Sequence, residues 1–247
     1  IVVTLDDERR VIEDGAVAIT GDRISAVGTT ADVTAAHTAP KVIDARGKVV
    51  MPGLIDGHAH AGHGLIKTMG GGRSDIWYRA CEIAYTVAST PEFWRAEARL
   101  AALERLRFGV TTGVSLLGGG DTILRTDETI YGDAHAEGVR EVGTRSVVAV
   151  GTTRPPFPRT YARIENGIAN ERPVSFDEQF ATCQALVKRW HGSHGGRLNI
   201  AMITPTLRDE HTKGLSASDM ADARAQAQKV ADFAREAGLV FTQDGHT

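Results

Sequence analysis

The sequence predicts an α/β fold in which parallel βα units follow a small β-rich segment. Three observations carry this. Short runs rich in Val and Ile recur at residues 49–55, 110–116, 145–150, 198–203 and 239–242. Longer stretches with apolar residues at helical spacing separate most of them. Before residue 48 the runs are shorter and are divided by turn residues instead. Five strands with intervening helices suit either a doubly wound sheet or part of a (β/α)8 TIM-type barrel.

Residues 1–5, 16–20, 23–27 and 41–44 are the strand candidates of the first segment, with Gly15, Gly21-Asp22 and Arg46-Gly47 supplying turns. Strands this short need a partner layer, so residues 1–47 read as a small β-sandwich-like domain and residues 48–247 as the second domain. In the second, Thr90 caps a helix with Pro91 at its first position, and Gly109 lies just past its end. Ala96, Leu100, Leu103 and Leu106 give that helix an apolar stripe. A weaker helix covers residues 127–137. Ser175-Phe176-Asp177-Glu178 has the capping-box pattern and opens a helix that runs to about residue 191. Residues 216–237 are alanine-rich, with Ala223, Ala227, Val230 and Ala234 on one face and Gly238 as the stop. Gly118-Gly119-Gly120 lacks the spacing of a dinucleotide fingerprint. A complete barrel takes about 250 residues by itself, and fewer follow residue 47. The chain is therefore expected to be the first part of a longer polypeptide, a few residues being missing before Ile1 as well.

Composition narrows the class. Of 247 residues, 42% are hydrophobic and 24% charged, as in an ordinary globular protein. The 28 basic and 31 acidic residues leave a formal charge of −3, which points to neither a nucleic-acid nor a membrane surface. Cys81 and Cys183 are too few for a disulfide framework and fit a reducing compartment, so a cytoplasmic location is expected. No apolar run approaches a membrane span, and no signal-peptide pattern opens the sequence.

The chemistry concentrates in Lys48-Val49-Val50-Met51-Pro52-Gly53-Leu54-Ile55-Asp56-Gly57-His58-Ala59-His60. On a strand, residues two apart share a face, so His58 and His60 project side by side. Two neutral imidazoles at this spacing can hold one metal ion from a single strand end. The bland alternative is two hydrogen-bonded histidines in a polar loop. The pair closes an apolar strand and runs into Ala61-Gly62-His63-Gly64, which favours the metal. After the third strand, Pro155, Pro156 and Pro158 stiffen a loop whose Arg154 or Arg159 suits an anionic or carbonyl-bearing substrate, surface arginines being the equal alternative. His63, His135, His191 and His194 read as structural or solvent-facing, with His63 near enough to the pair to touch substrate.

The stretch from Val50 to His60 resembles the first barrel strand of the metal-dependent amidohydrolase superfamily, nearest its cytosine deaminase and chlorotriazine hydrolase branch. Glu104-Arg105-Leu106-Arg107-Phe108-Gly109-Val110-Thr111-Thr112 and the stretch from Ala16 to Gly28 fit the same branch less specifically. The resemblance implies a (β/α)8 barrel, of which about five units are present. It also implies one divalent metal, zinc first, with iron or manganese as alternatives. A catalytic zinc takes three protein ligands and keeps a place for water. The family normally places a ligating histidine at the fifth strand end. Gln243, a poor zinc ligand beside imidazole, stands there, so His246 three residues on is taken as the third ligand and Gln243 as a substrate contact, the alternatives being Gln243 as the ligand and His246 as a loop histidine. After the fourth strand, Thr206 stands where relatives carry a substrate-holding histidine, which puts the usual substrate class in doubt. A sixth-strand histidine and an eighth-strand aspartate are expected beyond Thr247, so this chain alone is expected to be inactive.

The function so implied is hydrolysis of a non-peptide C–N bond by a metal-activated water, either deaminating a heterocycle or opening a cyclic amide. Hydantoinase-type relatives use a carboxylated lysine on the fourth strand, and residues 198–206 contain no lysine. The rival from another class is a non-catalytic barrel scaffold or assembly subunit. Expected partners are a small-molecule substrate, the remaining C-terminal part of the barrel, and further copies in a homo-oligomer.

Overall fold

Short antiparallel pairs build the N-terminal unit, Ile1–Leu54. The computed structural model describes residues 1–120, 122–204 and 213–243. Strand β1 (Val2–Val3) pairs with β2 (Val11–Ile12), and β3 (Gly15–Thr20) with β4 (Arg23–Thr29). Gly21, at φ 62°, makes the tight turn of the second pair. Helix α1 (Thr30–Ala36) follows, its first turn capped by the Thr29 hydroxyl, which accepts the Asp32 N–H. The strand expected at residues 41–44 does not form. Val42 and Ile43 are 85% and 78% exposed, so among the described residues no partner layer offsets the cost of ordering them. The expected strand at residues 49–55 is broken as well. Val50 bridges Val2, the chain then passes Pro52, which has no N–H to give a ladder, and β5 (Leu54–Asp56) starts only afterwards.

The second unit, Ile55–Thr247, is the α/β part. Between β5 and β6 (Val110–Leu116) lie helices α2 (His63–Ile66), α3 (Ser74–Thr86) and α4 (Pro91–Arg107). Helix α5 (Thr129–Val142) leads to β7 (Arg145–Gly151). A hairpin of β8 (Arg159–Glu165) and β9 (Ile168–Val174) precedes α6 (Phe176–Trp190). A short turn α7 (Ser193–Gly196), β10 (Leu198–Ile203), α8 (Ala217–Glu236) and β11 (Val240–Thr242) complete the described elements.

Strand order decides between the two architectures left open by the sequence. The sheet runs β5-β6-β7-β10-β11, and its β6–β7, β7–β10 and β10–β11 ladders are parallel. The strands lie in the order in which the chain makes them. A doubly wound sheet reverses its order at a switch point, whereas successive barrel strands do not. The five strands therefore have the arrangement of consecutive (β/α)8 strands.

The helix caps sit where local chemistry places them. Thr90 accepts the Phe93 N–H, and both bonds of the capping box form at Ser175 with Glu178 and at Ser216 with Asp219. The buried face of α4 is not the stripe read from the sequence. Leu103 and Leu106 are 54% and 43% exposed and Ala96 is exposed, while Trp94, Ala98 and Ala102 are buried. Helix α4 packs closely on α5, and alanines let the two backbones approach where leucines would hold them apart. The hairpin went unread in the sequence although its turn, Asn166-Gly167 at φ 52° and 78°, is a strong local signal. Its buried residues are Tyr161, Ala162 and Val174, and the Tyr161 hydroxyl donates to Leu124 O at 2.7 Å and accepts from Gln179 Nε2 at 2.8 Å. Among the described residues no helix is long and apolar enough to cross a membrane.

Candidate metal centre

The chain leaves β5 at Asp56 and carries His58 and His60 out at the C-terminal end of the sheet, the end that bears the active-site loops in barrel enzymes. It continues to pair with β6: His60 bridges Leu116, the Leu116 N–H donates to Ala59 O at 2.8 Å and the Ala61 N–H to Leu116 O at 2.7 Å. This pairing turns both imidazoles toward each other. Their Nε2 atoms stand 3.3 Å apart, with the rings edge to face. Two nitrogens each about 2.0–2.1 Å from one tetrahedral ion stand roughly 3.3 Å apart, so the donor pair fits a shared zinc-like ion.

Orientation comes from β6. His60 Nδ1 lies 3.2 Å from the Gly118 carbonyl oxygen. A carbonyl only accepts, so Nδ1 holds the proton and Nε2 presents its lone pair toward His58. Gly118 is needed for this turn, because a Cβ there would lie 1.9 Å from Ile123 O.

A layer of aromatic rings backs the pair. His63 stacks on His60 at 4.7 Å, meets Trp77 edge-on at 4.9 Å and places Nδ1 2.7 Å from the Tyr85 hydroxyl. Burial, and then the neighbouring His60, push the His63 pKa down to about 4, which keeps its ring neutral at physiological pH. Behind it, Glu97 is 1% exposed and accepts the N–H groups of Gly64 and Leu65 at 3.0 and 2.8 Å, anchoring the start of α2.

The other residues picked from the sequence are placed separately. Arg154 is half-buried in the loop after β7, and its carbonyl accepts from Arg159 Nη2 at 2.8 Å. Gln243 follows β11 and donates from Nε2 to the Thr204 hydroxyl at 3.2 Å. Thr206 and His246 lie outside the described residues. Among the described residues no group of three or more His, Cys, Asp or Glu is arranged to hold a metal, so the geometry rests on the His58–His60 pair. Sequence reasoning overlooked Asp56, Arg105, Gly118, Tyr85 and Glu97. Asp56 and Arg105 both stand in stretches that carry the resemblance, yet nothing in the sequence marks their contact with each other, nor that of Glu97 with Gly64 and Leu65.

A family model described as the bacterial imidazolonepropionase-like composite domain matches residues 15–39. The chain is 31% identical over 246 residues to an imidazolonepropionase of Roseobacter denitrificans, covering 96% of this chain and 56% of that protein. It is 32% identical over 191 residues to a 5-methylthioadenosine/S-adenosylhomocysteine deaminase of Syntrophobacter fumaroxidans, covering 77% and 38%. The chain thus spans about half or less of the curated relatives it matches. Among solved structures, the guanine deaminase of E. coli superposes with a TM-score of 0.62 at 20% identity, over 95% of this chain and 46% of that one. The atrazine chlorohydrolase of Arthrobacter aurescens TC1, a mutant complexed with zinc and atraton, superposes with a TM-score of 0.53 at 23% identity, over 94% and 49%. These two likenesses show the fold.

Proposed function

The chain belongs to the amidohydrolase superfamily, and from that premise we propose that it forms the metal-binding half of a hydrolase that cleaves a non-peptide C–N bond in a small heterocyclic substrate. The observation that carries this reading is the 3.3 Å separation of the His58 and His60 Nε2 atoms at the C-terminal end of the sheet. Relatives named as deaminases support the C–N bond as the target.

His58 and His60 would hold the ion, with His246 as a third ligand. A divalent metal, zinc first, supplies Lewis-acid activation of water when bound. The chain's own groups organise the rest. The Gly118 carbonyl keeps the His60 Nε2 unprotonated, and neutral His63 adds no competing positive charge beside the pair. Arg154, Thr206 and Gln243 are the proposed substrate contacts, Arg154 offering a fixed cation to a carbonyl or anionic group. Hydrolysis then adds water across the C–N bond, releasing ammonia from an aminated ring or opening a cyclic amide. The remaining strands of the barrel belong to this proposal too, in the same or another chain.

Elemental analysis of the purified full-length protein, beside a His58→Ala, His60→Ala variant, tests it. About one zinc, iron or manganese per chain, lost in the variant, is the expected result and justifies screening aminated heterocycles and cyclic amides. Full-length protein without metal overturns the reading in favour of a barrel scaffold.

A further inference from the structure

Two stretches far apart in the chain meet behind His58. Arg105, near the end of α4, lays its guanidinium along β6. Its Nη1 donates to the Ser115 hydroxyl and its Nη2 to Val114 O, both at 2.9 Å. The same group grips Asp56 Oδ2, with Nε at 3.0 Å and Nη2 at 2.9 Å. Asp56 then uses its other oxygen, Oδ1, to accept the backbone N–H of His58 at 3.3 Å. The route is open only because residue 113 is glycine, since a Cβ there would stand 2.4 Å from Arg105 Cζ. The Arg105 and Asp56 side chains are 11% and 30% exposed, so solvent competes weakly for the guanidinium.

We propose that Arg105 and Asp56 are positioning residues for His58, holding its backbone so that its imidazole meets His60 at the separation a shared metal ion requires. The inference rests on the metal-centre reading above. A carboxylate alone would rotate about its Cβ–Cγ bond. Clamped by a guanidinium that is itself fixed to two points of β6, it offers the His58 N–H one fixed acceptor. Such outer groups set ligand geometry, and losing one costs about 10–100-fold in metal affinity.

Cobalt(II) titration of the metal-stripped full-length protein, followed by the visible absorption of the bound ion, reads this without relying on turnover. The variants are Arg105→Ala, Asp56→Asn, their double and Gly113→Ala, with His58→Ala as the reference for a lost ligand. The expected result is a loss of about 10–100-fold in cobalt affinity in each single variant, with an altered absorption spectrum. The double variant loses no more than the worse single one, because the two act as a unit. Gly113→Ala displaces the guanidinium without removing its charge and follows Arg105→Ala. Thermal unfolding of the metal-free proteins identifies any variant that is merely misfolded, and Arg105→Lys, which keeps the charge but only one contact, replaces it with an intermediate affinity expected. Wild-type affinity and spectrum in the folded Arg105 and Asp56 variants, with binding lost in His58→Ala, overturn the positioning role and leave the metal centre standing. No cobalt binding by the wild type overturns both.

Discussion

Arg125 and Asp127 form an ion pair almost shut off from solvent, Nε to Oδ1 at 3.4 Å with side chains 0% and 1% exposed. The guanidinium also donates to Thr86 O at the end of α3 and to Ala162 O in β8, and lies 3.8 Å over the Tyr131 ring of α5. One cation thereby ties three elements together. Removing it leaves a buried carboxylate uncompensated, so Arg125→Ala should cost about 3–5 kcal/mol in urea unfolding. Replacing both charges, as in Arg125→Met with Asp127→Leu, should recover most of that loss. A double variant as unstable as the single one would show that the backbone contacts, not the ion pair, hold the region.

Gly118 couples the end of β6 to His60. A Cβ would collide with Ile123 O at 1.9 Å, so Gly118→Ala must open the turn and move the carbonyl that orients the imidazole. Destabilisation of at least about 2 kcal/mol is expected, together with reduced metal content. Unchanged metal content in folded Gly118→Ala protein would remove this carbonyl from the account of the site.

Glu97 supports the same loop from beneath. Burial raises its pKa, although the amides of Gly64 and Leu65 partly offset that. Glu97→Ala leaves both amides without their acceptor and should cost about 3 kcal/mol. Glu97→Gln keeps one acceptor and turns its amino group toward the other amide, so its stability should fall between the two. Equal stability of Gln and Ala variants, measured by thermal unfolding, would contradict this.

His135 predicts a pH dependence of stability. It is 1% exposed, and neither ring nitrogen has a hydrogen-bond partner among the described residues. Burial, then the charge of Arg105, lower its pKa to about 4 from an ordinary 6.5. Between those values the unfolded chain binds the proton and the folded chain does not, so stability is intact above pH 6.5 and is lost as pH falls toward 4. The loss attributable to this group is about 3 kcal/mol. His135→Leu should be near neutral at pH 7 and flatten this part of the stability curve. A curve of unchanged slope would assign the acid sensitivity to other groups.

Short-range chemistry was legible from the sequence. The caps at Thr90 and Ser175 depend on residues three positions away, and the facing of His58 and His60 on the two-residue period of extended chain; the Ser216 capping box went unread although it is equally local. The Asn166-Gly167 turn was equally local and could have been read. Tertiary packing decided the rest. Which stripe of α4 is buried depended on how closely α5 approaches, so alanines won over leucines. Val42 and Ile43, apolar enough for a strand, pair with no neighbour among the described residues and stay exposed. Arg105 reaches Asp56 across 49 positions, through a gap that exists only once β6 lies beside β5. Periodicity and capping are set by neighbours along the chain. Contacts of that range are set by which surfaces the fold brings together, and no local pattern encodes them.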